Sequence, residues 1–364
     1  MLHRSLSWQN NCQCNSKAIQ MRILLIGGNG FIGLPLTKEL LGSGHQIAVF
    51  HRGIASAPEE HAVHHIQGDR NRLRDYKEQL REFHPDVIVD LVLSSGEQAQ
   101  ELMSTARQIA PRVVALSSMD VYRAWGVVHG VEPGPLEPLP VTEISPLRST
   151  RKLYSAENMR MMQNAFPWVN LDYDKIAVEE AIMSSTVVCG TILRLPMVHG
   201  PGDRLHRFFP LLKRVADGRS SIILAEDFAS WRGPRGYVEN VAHAIALAAI
   251  SDQSSGQVYN ICEEPSLPEL EWQRRITKQL DWNGKFVVLP SARIPKHLLS
   301  PGNAEQHIVA SSERIRTELG FKEAVEIDEA IRRTIRWEQK SPPKTIDPRQ
   351  FDYAAEDAAL ENAA

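Results

Sequence analysis

Cysteine, excess charge and long apolar runs are all scarce in this sequence, and each shortage excludes a class of protein. The four cysteines, at positions 12, 14, 189 and 262 among 364 residues, fit neither a disulfide framework nor a zinc motif, so we expect a reducing compartment, the cytoplasm. A net charge of −3 gives no bulk attraction to nucleic acid or anionic lipid. The apolar run at 241–250 is far shorter than the ~20 residues that span a bilayer. We therefore expect that the protein binds no membrane and that its partner is not a nucleic acid.

The rest of the composition is typical of a large globular protein. Hydrophobic residues make up 43% and charged residues 23% of the chain, which suits one large domain or one and a half. Residues 1–20 contain no acidic residue and no apolar core, so we interpret them as a disordered tail or as translation from an upstream start, with a weak transit peptide as the alternative. After position 341 the composition turns to Pro, Asp and Ala, which predicts a flexible tail over 341–364.

The sequence is organised around a short apolar run that ends in three spaced glycines. Residues 23–26, Ile-Leu-Leu-Ile, suit a strand buried on both faces of a parallel sheet, and 34–41 suit a helix. Gly27 lets the chain turn off the strand, Gly30 lets the backbone approach a pyrophosphate, and Gly33 lets the helix pack closely on the strand. Because the helix N-terminus then faces the phosphates, this arrangement predicts a dinucleotide site.

Predicted strands and helices alternate along the N-terminal half. The further strands are predicted at 46–50, 64–66, 85–92, 112–116 and 186–195, and the further helices at 98–110 and 148–165. This alternation predicts an α/β protein with a doubly wound parallel sheet.

The end of the second strand bears on the choice of cofactor. Sites for NAD commonly carry a carboxylate there for the ribose hydroxyls, whereas an arginine accommodates the 2′-phosphate of NADP. The position after His51 is Arg52, so we expect NADP(H), with NAD(H) as the alternative. Asp69 and Arg70 follow the third strand, where a carboxylate can accept the adenine amine.

A histidine group precedes the third strand, and it invites a metal interpretation. His61, His64 and His65 lack a partner carboxylate at helical spacing. We therefore expect no metal site.

The glycine motif, Gly68-Asp69 and Ser118-x-x-Val121-Tyr122 together resemble the extended short-chain dehydrogenase/reductases, the NAD(P)-dependent epimerase/dehydratase group. The resemblance runs from Met21 to about Arg336. It implies an NAD(P)-binding Rossmann domain over 21–195, to which later strands and helices return, and a mainly substrate-binding region over 196–340. It also implies an oxidoreductase, epimerase or dehydratase that acts on a small polar carbonyl or alcohol, with a nucleotide sugar among the candidates.

The resemblance assigns site residues by matching motifs. It implies that the Ser118 hydroxyl binds the reacting oxygen and that Lys175 holds the nicotinamide ribose. Asp120 falls where sugar-nucleotide dehydratases carry an acid. Arg235 falls near an arginine that meets a diphosphate, with an ion pair to Glu239 as the alternative. The expected substrate contacts are Asp120, His199 and Arg235, and the other expected cofactor contacts are Gly27, Asn29, Gly30, Phe31, Ile32, Gly33, Arg52, Asp69, Arg70, Pro196 and Val198.

The catalytic helix departs from the family pattern. The family places a tyrosine of lowered pKa four residues before its lysine, so that both project from one helical face. That position here is Leu171, which carries no proton. Tyr173 lies about 200° around a regular helix from Lys175, so it can replace the missing tyrosine only if the helix begins after it. Asp172 is the other candidate, as a proton carrier or as the N-cap.

Two further expectations follow from the resemblance. In this family two Rossmann helices commonly form a dimer contact, here 98–110 and 173–184, so we expect a homodimer. Because the catalytic helix is altered, the alternative to an enzyme is a non-catalytic, dinucleotide-bound binding or regulatory protein. RNA is a candidate partner there, as in the chloroplast stem-loop-binding proteins, although the net charge argues mildly against it.

Overall fold

The computed structural model describes residues 20–53, 62–299 and 302–362. The interpretations of residues 1–19 and of His61 lie outside these ranges. The strands are β1 Arg22–Ile26, β2 Gln46–His51, β3 His64–Gln67, β4 Val87–Asp90, β5 Arg112–Ser118, β6 Cys189–Leu195, β7 Met197–His199, β8 Ser221–Ala225, β9 Arg235–Tyr237, β10 Val258–Asn260 and β11 Lys285–Leu289. The α-helices are α1 Gly33–Gly42, α2 Lys77–Glu82, α3 Gly96–Ala106, α4 Arg123–Val128, α5 Ala156–Ala165, α6 Lys175–Met183, α7 Phe209–Ala216, α8 Glu226–Ser230, α9 Val238–Ile250, α10 Glu269–Lys278, α11 Glu313–Leu319, α12 Ile327–Lys340 and α13 Tyr353–Glu361.

Within the described residues, seven parallel strands form one sheet in the order β10-β6-β5-β4-β1-β2-β3. β1 pairs with β2 on one side and with β4 on the other. Leu24 and Ile26 pack into one hydrophobic core, and Ile23 and Leu25 pack into another, as expected for a strand buried on both faces. The predicted α/β fold with a doubly wound parallel sheet is confirmed. Ligands of such sheets bind where the strand order reverses, here beyond the carboxyl ends of β1 and β4.

The C-terminal half builds a smaller layer beside this sheet and also returns to it. β7 pairs with β9 and β8 pairs with β11. α7, α10 and α12 share one apolar cluster that includes Trp272 and Ile331. α9 instead buries its alanine-rich surface against the main sheet, in the same core as β1.

The predicted helix over 148–165 is wrong in its first half, because α5 begins only at Ala156. The Ser155 side chain caps this helix by accepting a hydrogen bond from the Asn158 N–H group. Upstream, the Arg148 side chain is buried and donates to the backbone carbonyl of Asp120. These contacts hold 148–155 in an irregular conformation.

The prediction of a flexible tail after position 341 is also corrected. A 3₁₀ turn at Pro348–Phe351 leads into α13. Glu356 of α13 is 0% exposed and its Oε1 lies 2.7 Å from Nη2 of Arg214 in α7. A buried carboxylate needs such a partner, and this ion pair anchors the C-terminal helix to the smaller layer.

Among the helices of the described residues, none has the length and the apolar character that a membrane span requires. In the same ranges, no group of three His, Cys, Asp or Glu side chains is arranged to hold a metal ion.

Candidate active site

The turn between β1 and α1 forms one end of a cleft at the carboxyl edge of the sheet. Gly27 has a φ of +86°, a conformation that glycine adopts without strain. A Cβ atom at Gly33 would lie 2.5 Å from the carbonyl oxygens of Gly27 and Gly28, so only glycine lets α1 sit this close to the turn. Ile32, the N-cap, carries no polar side chain, and the first turn of α1 has no acidic residue. Neither the N-cap nor the first turn of α1 therefore places a negative charge against an anion at this helix end.

The cleft offers a hydrogen-bond donor to a polar ligand. It encloses about 250 Å³. The buried Nδ2 atom of Asn29, in its wall, has no hydrogen-bond partner among the described residues, which leaves a donor for a ligand. Of the residues predicted to bind the cofactor, the wall contains Gly27, Asn29, Gly30, Phe31, Arg52, Asp69 and Arg70. These residues fit NAD(P) in its expected position.

Other predicted cofactor contacts have structural partners or lie elsewhere. Arg70, although in the wall, is buried with its Nη2 atom 2.9 Å from Oδ2 of Asp90. Ile32, Gly33, Lys175, Pro196 and Val198 lie outside the wall that the described residues form. Val198 is part of the hydrophobic core, so its side chain is committed to packing.

The start of α6 decides where the candidate catalytic side chains lie. The Asp174 side chain accepts hydrogen bonds from the N–H groups of Ile176 and Ala177, so the helix begins at Lys175. The hypothesis that Asp172 is the N-cap is therefore wrong. Tyr173 precedes the helix, which meets the condition under which it could replace the missing tyrosine. Leu171 is 74% exposed, and its apolar side chain has no group that could transfer a proton at the site.

Asp120 is the centre of a cluster of hydroxyl groups. Its Oδ2 atom accepts hydrogen bonds from the hydroxyls of Tyr173, at 2.8 Å, and Tyr154, at 3.0 Å. The Oγ atom of Ser118 accepts from the Asp120 N–H group at 3.2 Å. The structure thus brings together Ser118, Asp120 and Tyr173, three predicted site residues.

The protonation of this cluster differs from what the resemblance implies. Burial, and next the charge of Asp120, raise the pKa of both Tyr154 and Tyr173 well above 10. The family's tyrosine has a lowered pKa, whereas these phenols are neutral at physiological pH. Each therefore donates its proton to Asp120 in the resting state.

Lys175 lies beside the cluster, at the first position of α6. It is buried, and its Nζ atom donates to the carbonyl oxygens of Leu93, at 2.5 Å, and Leu116, at 2.9 Å. The ring of Trp168 lies 5.7 Å from Nζ. Burial lowers the pKa of Lys175 to about 8. Because an ammonium group has three donors, one N–H of Lys175 is left after these two hydrogen bonds.

A second cavity, of about 360 Å³, lies between β7, α4, α8 and α10. Its wall is mainly aromatic and apolar, and it contains the residues Trp125, Val128, His129, Met197, His199, Arg207, Phe208, Phe228, Trp231, Arg235, Glu269, Trp272, Gly302 and Ala304. The rings of Trp125 and His129 are 5.9 Å apart, and those of His129 and Tyr154 are 5.5 Å apart. These ring contacts lead from the cavity wall to Tyr154 of the Asp120 cluster, and we call the cavity the candidate substrate cavity.

Two predicted substrate contacts, His199 and Arg235, lie in this cavity wall. Arg235 forms its ion pair with Glu269 of α10, so the alternative pair with Glu239 is wrong. Glu239 instead binds Arg333, at 2.9 Å. Burial, followed by the charges of Arg235 and Arg207, lowers the pKa of His199 to about 3, so its ring is neutral.

Sequence reasoning missed several residues of both sites. Tyr154 was assigned to a helix, although Ser155 is a strong N-cap residue and signals a later start. Trp168 and Arg204 line the cofactor cleft without any local motif. Glu269 is 34 residues from Arg235, so no spacing rule connects the two.

The strand order, the glycine turn and the cleft define a dinucleotide-binding Rossmann protein. The chain belongs to the NAD dependent epimerase/dehydratase family, whose sequence model matches residues 23–262. The resemblance seen in the sequence is thereby confirmed.

The relatives have diverse named activities. The decarboxylating sterol-4-alpha-carboxylate 3-dehydrogenase of Candida albicans is 23% identical over 370 residues, which cover 86% of this chain and 97% of that protein. The 2'-dehydrokanamycin reductase of Streptomyces kanamyceticus is 22% identical over 271 residues, 72% of this chain and 68% of that protein. The structure of the Bordetella bronchiseptica enzyme WbmG in complex with NAD and UDP aligns with a TM-score of 0.63 at 17% identity, over 90% of this chain and 96% of WbmG. This likeness shows the shared fold.

Proposed function

We propose that this chain is an oxidoreductase that interconverts a small alcohol and its carbonyl with NADP(H), NAD(H) being the alternative. The family, the cleft and the NAD bound by WbmG support the cofactor class. Arg52, exposed in the cleft wall at the end of β2, supports the preference for a 2′-phosphate. The nicotinamide, when bound, accepts or supplies a hydride at the reacting carbon.

The observation that carries the reaction is the shared acceptor, Asp120 Oδ2, of Tyr173 and Tyr154. In the oxidation direction, the substrate hydroxyl gives its proton to the Tyr173 oxygen while Tyr173 passes its own proton to Asp120. In reduction the same two protons move in the opposite direction. A neutral phenol backed by a carboxylate thereby takes the place of the family's ionised tyrosine.

Ser118 and Lys175 position the reacting groups. We assign to the Ser118 hydroxyl, which accepts a hydrogen bond from the N–H group of Asp120, the binding of the same substrate oxygen. We assign the remaining N–H donor of Lys175 to a ribose hydroxyl, as the resemblance implies. Neither residue has to change its protonation state during turnover.

Turnover of a panel of aldehydes, ketones and alcohols tests this proposal, with nicotinamide absorbance as the readout. Trapping metabolites on the cofactor-loaded protein supplies further candidates for the panel. We expect Tyr173→Phe to lower kcat by about a hundredfold or more, because it removes the proton carrier.

Tyr154→Phe is the matched control, since it removes a hydrogen bond to the same oxygen of Asp120 and leaves Tyr173 in place. We expect its kcat to fall much less. Equal losses in the two variants, or an unchanged rate in Tyr173→Phe, would contradict the relay. A protein that turns over no member of the panel but binds RNA in a salt-sensitive way would favour the alternative function.

A further inference from the structure

The two arginines in the wall of the candidate substrate cavity are each paired with a carboxylate. Arg235 is ion-paired with Glu269 and its guanidinium stacks 4.8 Å from the ring centre of Trp272. Arg207 is ion-paired with Asp203, with Nη1 and Oδ1 2.7 Å apart. Both arginines of the wall therefore carry a neighbouring carboxylate. A phosphate entering the cavity would have to compete with Glu269 for Arg235 and would lie beside that carboxylate, which repels it.

The Arg235–Glu269 pair is also held by other contacts. Gln273, one turn along α10, donates to the Oε1 atom of Glu269 at 3.0 Å. Both side chains are nearly buried, 13% exposed for Arg235 and 10% for Glu269. Separating a buried ion pair leaves an uncompensated charge. Arg235 is therefore not available for a diphosphate, although the family resemblance implies that role.

His199 is a residue of the cavity wall whose tautomer is set by its hydrogen-bond partner. Thr334 uses its hydroxyl proton to bond the Ala330 carbonyl, at 2.8 Å. Its oxygen can then only accept from His199, whose Nδ1 atom lies 3.3 Å away, so Nδ1 carries the proton. In a neutral ring the Nε2 atom is consequently an acceptor. It is buried and has no partner within the described residues.

The remaining wall is aromatic. Trp125, Trp231 and Trp272 contribute indole rings, and Phe208 and Phe228 contribute phenyl rings. A volume of about 360 Å³ accommodates a compact ligand of one or two fused rings, and aromatic faces stack on planar groups.

We infer that the cavity binds an uncharged, planar or aromatic group with one hydroxyl or N–H that donates to Nε2 of His199, and that it excludes nucleoside diphosphates. This inference rests on the proposed function only in calling that ligand the substrate. Glu269 is the specificity-determining residue, because its carboxylate occupies the guanidinium that a diphosphate would need.

Calorimetric titration of the full chain with three probes tests the inference without turnover. The probes are naphthol, its methyl ether, which lacks the donor, and UDP. We expect naphthol to bind about tenfold more tightly than the ether, the worth of one neutral hydrogen bond, and UDP to bind at least tenfold more weakly than naphthol. Tighter binding of UDP, or equal binding of naphthol and its ether, would overturn the inference.

Two variants locate these effects in the cavity. Glu269→Gln frees Arg235, so UDP affinity should rise at least tenfold while naphthol affinity stays within about threefold. Glu271→Gln removes an exposed carboxylate from the first turn of the same helix and should change neither affinity. In His199→Leu, naphthol should lose its advantage over the ether. An unchanged UDP affinity in Glu269→Gln, or a retained naphthol advantage in His199→Leu, would count against the assignment.

The outcome is separable from that of the proposed function. Binding of NADP(H) and nicotinamide turnover are measured on the same protein without these probes. A protein that prefers naphthol but binds no dinucleotide would refute the oxidoreductase and retain the cavity assignment. A protein that turns over carbonyls and binds UDP most tightly would retain the oxidoreductase and refute the cavity assignment. Thermal unfolding of each variant confirms that it is folded, and the wild-type comparison stands without variants.

Discussion

Replacing Gly33 by alanine places a methyl carbon where α1 meets the turn after β1. That carbon would lie 2.5 Å from two carbonyl oxygens and from the carbonyl carbon of Gly28. Non-bonded heavy atoms pack at about 3.5 Å, so α1 must move by roughly 1 Å. The obstacle is backbone, which cannot rotate away as a flexible side chain would. We expect a loss of about 1–3 kcal/mol in the free energy of unfolding, the usual cost of overpacking.

The same helix provides a matched control at its other end. A Cβ atom at Gly42 would meet nothing within 4 Å, so Gly42→Ala should be neutral or stabilise by up to about 1 kcal/mol, since alanine favours helices over glycine. Both changes add one methyl group to α1. The difference between the two variants therefore reports the contact at Gly33 rather than helix propensity.

Urea unfolding and calorimetric titration with NADP⁺ measure the two consequences. Movement of α1 displaces the turn that forms the phosphate end of the cleft, so Gly33→Ala should weaken NADP⁺ binding at least tenfold, about 1.4 kcal/mol. Gly42→Ala should bind as the wild type does. If the two variants matched in stability and in affinity, the close packing of α1 would not be what this cleft requires.

Three other predictions concern the cofactor, the pH dependence of stability and the assembly. Arg52→Gln should weaken NADP⁺ binding about tenfold and leave NAD⁺ nearly unchanged by calorimetry; wild-type affinities that are equal, or tighter for NAD⁺, would refute the preference. The hydrogen bond from His243 Nδ1 to Glu39, at 2.6 Å, raises the pKa of His243 above 6.5. Its stabilisation is present below pH 6.5 and is lost as the pH rises through the raised pKa, so Glu39→Gln should lower the melting temperature more at acidic than at alkaline pH; a pH-independent difference would contradict this linkage. Light scattering at micromolar concentration should give twice the chain mass, with α3 and α6 at the contact, and Met183→Glu, exposed on α6, should reduce it; a monomer in the wild type would remove this expectation.

The fold was predictable because the sequence patterns that indicate it lie within short stretches of neighbouring residues. The four apolar residues of β1 and the spacing of Gly27, Gly30 and Gly33 constrain a turn whose parts are within seven residues of one another. Burial on both faces, the positive φ of Gly27 and the close approach at Gly33 follow from those residue types. The candidate active site was less predictable. Tyr173 was a conditional candidate in the sequence, and its condition is met because Asp174 caps α6. Asp172, two residues earlier, is just as suitable a cap by residue type.

The sequence alone determined that this chain forms a parallel α/β sheet with a glycine turn suited to a dinucleotide, and that Leu171 stands where a catalytic tyrosine is expected. Tertiary structure decided which groups meet. Tyr154 reaches Asp120 across 34 residues, and Glu356 reaches Arg214 across 142. Propensities, caps and turns act over a few residues, whereas the partner of a buried charge is chosen by how whole elements pack. Glu269 of α10, whose carboxylate neutralises the charge of Arg235, could therefore be identified only from the tertiary structure.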